Sequence, residues 1–344
     1  MTIRGPRSFE PPTPDQIARR EPLVGNNAAS GAILERLTLT DGRRLIAKTV
    51  SPELDWIMRA THDEGRAATL FTSGLLDRLP PAIDHTTLGA ERDGERWTIY
   101  MRDVGDRLFS FDHRLTREEA TRVLEAMVAM HRTYQGEELT GLCDLADLPG
   151  LFSPSSAEEA IAAGRDLELP DLVVDGTAWT LWTFIRRGWE RVPEVYPADV
   201  ADALHSMVED PLPLTHALRE CPCTLVHGDF KTNNLGIDDE RLLVIDWGSL
   251  TAHGPGAIDF VFFLLGGEHE ITYDEVTDTY RRIAGDLYDE ASVDLAHLSV
   301  FTAFGMQLAF TVTEDEEEWR RLAAETLSWW IPRLRTALER SGVV

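Results

Sequence analysis

Residues 223–248 read Cys-Thr-Leu-Val-His-Gly-Asp-Phe-Lys-Thr-Asn-Asn-Leu-Gly-Ile-Asp-Asp-Glu-Arg-Leu-Leu-Val-Ile-Asp-Trp-Gly. Two apolar runs, Thr224–Val226 and Leu242–Ile245, have the length of short strands, and each runs into an aspartate, Asp229 and Asp246. A polar loop lies between them, with Asp238-Asp239-Glu240 as its turn. The pattern predicts a hairpin-like unit that gathers two carboxylates and the Asn234 amide at one end of a small sheet. Hard oxygen donors of this kind suit Mg²⁺ beside substrate phosphates. Lys231, two residues after Asp229, adds a cation able to face a transferring phosphoryl group. On a purely structural reading, the two aspartates cap strand ends and Asn234 is a turn residue.

Outward from this stretch, the basic residues carry a second signal. The chain has two lysines, Lys48 and Lys231, and its other basic residues are all arginine. A lysine that persists against that bias points to a chemical need, because a compact ammonium does not replace a guanidinium fork.

His227-Gly228-Asp229, Asn234 five residues on and Asp246-Trp247-Gly248 seventeen residues on together resemble the catalytic core of the aminoglycoside phosphotransferase and choline kinase family, a branch of the protein-kinase-like fold. The resemblance implies an α+β fold with a small antiparallel-sheet N-lobe and a mainly helical C-lobe. It also implies ATP and Mg²⁺ as cofactors and phosphoryl transfer to a small-molecule hydroxyl acceptor. By the same resemblance Asp229 is the catalytic residue that takes the hydroxyl proton, assisted by Lys231. Asn234 and Asp246 are the metal ligands, and His227 and Asp259 give structural support. Lys48 grips the nucleotide phosphates and is held by Glu64. Gly25 and Asn26 sit in the loop covering the nucleotide, and Tyr100 and Met101 form the hinge that meets adenine. The implied division is an arm over 1–19, the N-lobe over 20–101 and the C-lobe over 102–344.

Composition narrows the partners. The 344 residues carry 33 basic and 59 acidic side chains, a net charge of −26. Such a surface repels nucleic acid and anionic membranes and favours a cationic acceptor. No apolar run approaches membrane-spanning length, and the N-terminus lacks the pattern of a signal peptide. Three cysteines, Cys143, Cys221 and Cys223, fit reduced thiols in a cytoplasmic protein.

Taken in order, residues 1–12 read as a loose arm, and Thr13-Pro14-Asp15-Gln16 as the capped start of a short helix. Strands are expected from Leu23 onward: Ile33–Leu39, Leu45–Val50, Ala82–Thr87 and Arg96–Met101. A helix from Ser51 to about Phe71 carries Glu64. Thr116 opens a helix whose stripe is Ala120, Val123, Leu124, Met127 and Met130. Trp179, Trp182 and Trp189 recur near helical spacing, which fits either helix packing or an acceptor-binding wall. Leu295–Phe310 reads as a buried helix, and Glu314 to Glu318 as a solvated acidic run or a surface for a cationic substrate. Two rivals remain within this reading: an antibiotic-inactivating kinase and a metabolic sugar or amino-alcohol kinase share these residues. A nucleotide-binding scaffold without catalysis would be expected to lose Asp229, Asn234 or Asp246, all of which are present.

Overall fold

A computed structural model of the chain describes residues 2–3, 9–23, 30–110, 112–174, 177–314 and 316–343. The first strands are β1 (Thr2–Ile3), β2 (Ile17–Pro22), β3 (Ile33–Leu39) and β4 (Arg44–Val50). Helices α1 (Trp56–Ala60) and α2 (Arg66–Thr72) follow, then β5 (Ile83–Asp84), β6 (Thr87–Asp93) and β7 (Arg96–Arg102). Six of these strands form one antiparallel sheet in the order β1-β6-β7-β4-β3-β2.

Strand alternation gives this sheet two apolar faces. Leu37, Leu39, Leu45, Ala47 and Tyr100 pack on one, and Val50, Trp97 and Ile99 pack on the other with Ala32, Met58 and Ala68. Each large side chain buried in this way contributes roughly 1.5–3 kcal/mol.

Three expectations fail here. The N-terminal arm is tied down: β1 pairs with Glu91 and Ala90 of β6, and the Phe9 ring lies 5.6 Å from that of Tyr100. The strand expected over Ala82–Thr87 breaks at Thr86, whose φ is +57°, so β6 starts at Thr87 and runs to Asp93. The expected helix from Ser51 to Phe71 is two short helices. Asp55 caps α1 through the Ile57 and Met58 N–H groups. Asp63 then takes the N–H groups of Gly65 and Arg66, at 2.7 and 2.5 Å, and starts α2 afresh. Gly65 has a φ of +126°, and a Cβ there would strike the Trp97 indole, so this break accepts only glycine.

The chain continues through β8 (Arg114–Leu115) into α3 (Arg117–Tyr134), which has the expected Thr116/Glu119 capping box and buries its stripe. Next come α4 (Asp147–Gly150), α5 (Pro154–Ala162), the hairpin β9 (Glu168–Val174) and β10 (Thr177–Thr180), α6 (Leu181–Val195), α7 (Ala198–Glu209) and α8 (Leu212–Glu220). The segment that decided the reading holds β11 (Cys223–Val226), β12 (Leu235–Asp238) and β13 (Arg241–Val244). Its hairpin joins β12 to β13 around Asp239, at φ +54°, while β11 belongs to another sheet and pairs with β14 (Ala252–Pro255). The chain ends with α9 (Ala257–Leu265), β15 (Glu268–His269), α10 (Tyr273–Ala284), α11 (Glu290–Glu314) and α12 (Glu317–Ser341).

These elements group into two compact units. One is Met1–Cys143, Thr224–His253 and Phe262–Leu287, and the other is Asp144–Cys223, Gly254–Val261 and Tyr288–Val344. The second unit is helical and is built on α11, which packs against α6 and α12. By length and hydropathy α11 could cross a membrane, contrary to the expectation from short apolar runs, but 72% of its most apolar window is buried inside the protein. Trp182 and Trp189 are buried on α6, as helix packing requires, whereas Trp179 lies on β10, edge-on to Phe310 at 4.9 Å. Glu314 is not a free acid: it receives the Arg187 and Arg191 guanidiniums at 2.9 and 2.5 Å.

Candidate active site

The first unit brings the functional side chains of the 223–248 segment together with β4. His227 is buried where β11 ends. Its Nε2–H donates to the Ile245 carbonyl at 2.9 Å, and its Nδ1 accepts the Asp229 N–H at 3.3 Å. These two bonds select one neutral tautomer and tie the loop of Asp229 to the residue preceding Asp246. Ile245 is held on its other side as well, its N–H donating to the Asn234 carbonyl at 3.0 Å. Trp247 closes the arrangement, edge-on to His227 at 4.7 Å with its indole N–H on the Val244 carbonyl. Gly228, at φ +80°, leaves no space for a Cβ beside the Leu250 carbonyl, so the turn into Asp229 requires glycine.

Within this frame the charges pair. Asp229 Oδ2 receives Lys231 Nζ at 2.8 Å and the Asn234 side-chain N–H at 2.9 Å. The same Asn234 nitrogen also donates to the Asp229 carbonyl at 2.9 Å. With its nitrogen committed to Asp229, Asn234 has its Oδ1 left as a hard donor. Lys48 Nζ, from β4, pairs with Asp246 Oδ1. Asp246 has a φ of +64°, a left-handed conformation uncommon for a non-glycine residue. Burial pulls its carboxyl upward, but Lys48 and then Lys231 outweigh it and hold it below the usual carboxylate range. Burial pulls both lysines down, and their carboxylates, Asp246 for Lys48 and Asp229 for Lys231, more than offset it. Lys48, Lys231 and Asp246 are therefore charged near neutrality.

A cavity opens beside the Lys48–Asp246 pair, lined by Lys48, Asp63, Trp97, Met101, Asp246 and Ser249 among others. Met101 lines it from β7. Tyr100 does not share the cavity. It points to the opposite face of the sheet, bonds Glu91 at 3.2 Å, and burial pushes its hydroxyl up to about 12, so only its backbone could serve a ligand. Gly25 and Asn26 lie outside the described residues. Asp259 is fully buried in the first turn of α9.

Glu64 departs from its expected place. It is exposed in the turn between α1 and α2, and its backbone carbonyl accepts the Trp97 indole N–H at 2.9 Å. The physical cause is the helix break: no continuous helix presents Glu64 toward Lys48, which pairs with Asp246 instead. Sequence reasoning also passed over two buried acids. Asp63 lines the cavity and accepts the Ser249 hydroxyl at 3.0 Å. Asp55 accepts the Ser30 hydroxyl at 2.7 Å; burial raises its carboxyl, with Ser30 and Lys48 opposing the shift. The available signal was Asp-x-x at helix starts, Asp55 before Trp56 and Asp63 before Gly65-Arg66.

The donor set suits a magnesium nucleotide in one respect that the geometry can test. Asp246 and Asn234 each offer a hard oxygen, few enough that most of the ion's shell would come from phosphates and water. Among the described residues no group of three or more His, Cys, Asp or Glu side chains could hold a metal by itself.

No curated protein sequence matches the chain. Solved structures of similar fold include a choline kinase of Cryptosporidium parvum Iowa II, 9% identical over 96% of this chain and 92% of that one, with a TM-score of 0.51. Others are the spectinomycin phosphotransferase APH(9)-Ia in complex with ADP and spectinomycin (11%, 95% and 94%, TM-score 0.49) and the choline kinase LicA of Streptococcus pneumoniae (12%, 92% and 94%, TM-score 0.48). The first likeness shows a protein-kinase-like fold, an antiparallel N-terminal sheet followed by a helical C-terminal part. The family model described as the phosphotransferase enzyme family matches residues 28–296, and the chain belongs to that family.

Proposed function

We propose that the protein transfers the γ-phosphoryl group of ATP to a hydroxyl of a cationic small molecule in the cytoplasm. The observation that carries this reading is the linked pair of ion pairs, Lys231–Asp229 and Lys48–Asp246, joined through Asn234 and Ile245, with the second pair lining a cavity. Asp229 Oδ2 is fixed by two donors, which leaves Oδ1 to accept the proton of the attacking hydroxyl. As the new O–P bond forms and the bond to the leaving ADP breaks, that proton moves to Asp229. Lys231 holds the Asp229 carboxylate in place and sets a positive charge where the phosphoryl oxygens gain negative charge. Lys48 would exchange its contact with Asp246 for nucleotide phosphates and free that carboxylate. Asp246 and Asn234 would hold Mg²⁺, which supplies charge neutralisation at the phosphates when bound. Alignment of two substrates on a rigid frame, rather than covalent chemistry by the protein, supplies most of the rate.

The acceptor class follows from charge. A net −26 raises the local concentration of cations and discourages anionic sugars or nucleotides as acceptors. An antibiotic of the aminoglycoside type and a metabolic amino alcohol of the choline type both meet this criterion. Release of ADP from Mg-ATP decides between them when measured across aminoglycosides, spectinomycin, choline, fructosamines, hexoses and nucleosides. Stimulation by one cationic class is the expected result. Stimulation only by neutral hexoses or nucleosides would overturn the acceptor assignment, and no stimulation by any class would overturn the hydroxyl-kinase reading.

A further inference from the structure

Arg66 is buried at the start of α2, and its guanidinium ties together three segments of the first unit. Nη2 donates to the carbonyl of Thr61, the residue that closes α1, at 3.1 Å. Nη1 donates to the Ser249 carbonyl and lies 3.7 Å from Asp63 Oδ2. Ser249 is held a second time, because its hydroxyl donates to that same Asp63 oxygen at 3.0 Å. One buried acid–base pair thus grips both the carbonyl and the hydroxyl of a single residue.

Ser249 lies three residues after Asp246, across a tight turn. Asp246 has a φ of +64° and Gly248 one of +148°, and a Cβ on Gly248 would lie 2.8 Å from the Ala67 methyl of α2. On its other side the turn is tied to its own segment. The Gly248 N–H donates to Thr251 Oγ1 at 3.1 Å, and the Thr251 hydroxyl donates to the His227 carbonyl at 3.3 Å. The turn that carries Asp246 is therefore fixed between the frame of His227 and the start of α2.

Two features set this contact apart from ordinary packing. Asp63 lines the cavity with Lys48 and Asp246, yet its oxygens are occupied. Oδ1 accepts the Gly65 and Arg66 N–H groups, and Oδ2 accepts the Ser249 hydroxyl and faces Arg66. A carboxylate with about four acceptor positions filled in this way acts through what it holds rather than as a ligand. The second feature is the ion pair itself. Desolvation offsets much of the attraction between buried charges, and apolar side chains of the same size often replace such a pair without loss of stability. Charged hydrogen-bonding groups aimed at one carbonyl and one hydroxyl specify a position more than they add stability.

We propose that Asp63 and Arg66 are positioning residues for Asp246. By holding Ser249 they keep the turn in the orientation that presents the Asp246 carboxylate to the metal of the nucleotide, and they make α2 and that carboxylate move together. The inference rests on the reading of Asp246 as a metal ligand, and the test separates the two.

ADP is titrated calorimetrically into the full chain with and without magnesium, in wild type, Arg66→Met and Ser249→Ala. Amide hydrogen exchange is followed over residues 246–251 in the same proteins without nucleotide. The ratio of the two ADP affinities measures the coupling between metal and nucleotide. Arg66→Met is expected to lower that ratio by about tenfold and Ser249→Ala by about threefold, with metal-free ADP affinity within about twofold of wild type. Both variants should exchange faster over 246–251, by about tenfold in Arg66→Met. Should Arg66→Met not fold, Ser249→Ala, which leaves the buried pair intact, decides alone. An equal loss of affinity with and without magnesium overturns the positioning role, because a merely structural contact acts on both. Exchange over 246–251 as slow as in wild type overturns it too. A wild type whose ADP affinity ignores magnesium overturns the metal reading instead, and the exchange rates then decide whether Asp63 and Arg66 hold the turn.

Discussion

Asp246 and Asp63 face the same cavity from two segments that place their acids by different physics. In residues 223–248, short strands end directly at the functional groups, and the loops are tied to one another by the His227 and Ile245 bonds. In residues 55–66, the acids are fixed by backbone N–H groups at helix starts, Asp55 as the N-cap of α1 and Asp63 on the Gly65 and Arg66 N–H groups that lead into α2. The 223–248 arrangement writes itself into the sequence as spacing along an apolar run. The 55–66 arrangement has the pattern of ordinary capping, because capping is half of what it does. A residue that serves both the backbone and a site is the kind that spacing alone overlooks.

The contrast is sharpest at Asp246. Asp246→Asn should cost kcat/KM about 10³-fold and remove most of the magnesium dependence of nucleotide binding, read by steady-state kinetics and by titration with and without the metal. Unchanged nucleotide affinity in magnesium would break the assignment of this segment as the metal-binding one. Lys231→Ala should lower kcat by about 10²-fold with little change in Mg-ATP affinity, because its charge is needed most as the phosphoryl group transfers. A fall confined to nucleotide affinity would move Lys231 to a binding role.

Acid sensitivity should follow burial instead. His269 and His297 are buried, and burial pushes them down to about 4 and about 3. Since the folded values lie below the ordinary 6.5, stability is full above that value and falls as pH drops toward 4. Each should cost roughly 2 kcal/mol at pH 5, and His297→Leu should lose correspondingly less between pH 7 and 5, measured by urea unfolding. An identical loss in wild type and variant would contradict the buried neutral histidine.

Smaller effects separate the two acids of the α1–α2 break. Asp63→Ala removes a cap and the Ser249 contact and should cost about 1–2 kcal/mol, read as a lower unfolding midpoint. Glu64→Gln should stay within about 0.5 kcal/mol and leave nucleotide affinity unchanged, since its side chain is exposed. A large loss of nucleotide affinity in Glu64→Gln would show that the acid reaches Lys48 after all and that the break closes into one helix when nucleotide binds.

Legibility in the sequence tracks this difference. The pair β3–β4 and the capping box and stripe of α3 rest on local turn and cap chemistry, and they stand close to where the pattern places them. β1, the β9–β10 hairpin and the break at Thr86 depend on partners distant in sequence or on one strained residue, and no periodicity signals them. Within the site, Lys231 and Asn234 meet Asp229 as their spacing suggests, and Lys48 meets Asp246, a pairing no spacing signals. Tyr100 turns away because strand alternation sends it to the other face, and Glu64 because α1 ends at Ala60 and α2 starts only at Arg66, leaving it between the two.

The central claim, that Asp229 is the proton acceptor in phosphoryl transfer, is tested most directly by Asp229→Ala. Acceptor-stimulated ADP release and Mg-ATP affinity are measured on the same preparation. A loss of stimulated turnover of about 10³-fold or more, with Mg-ATP affinity within about twofold of wild type, is the predicted result. Stimulated turnover close to wild type would contradict it.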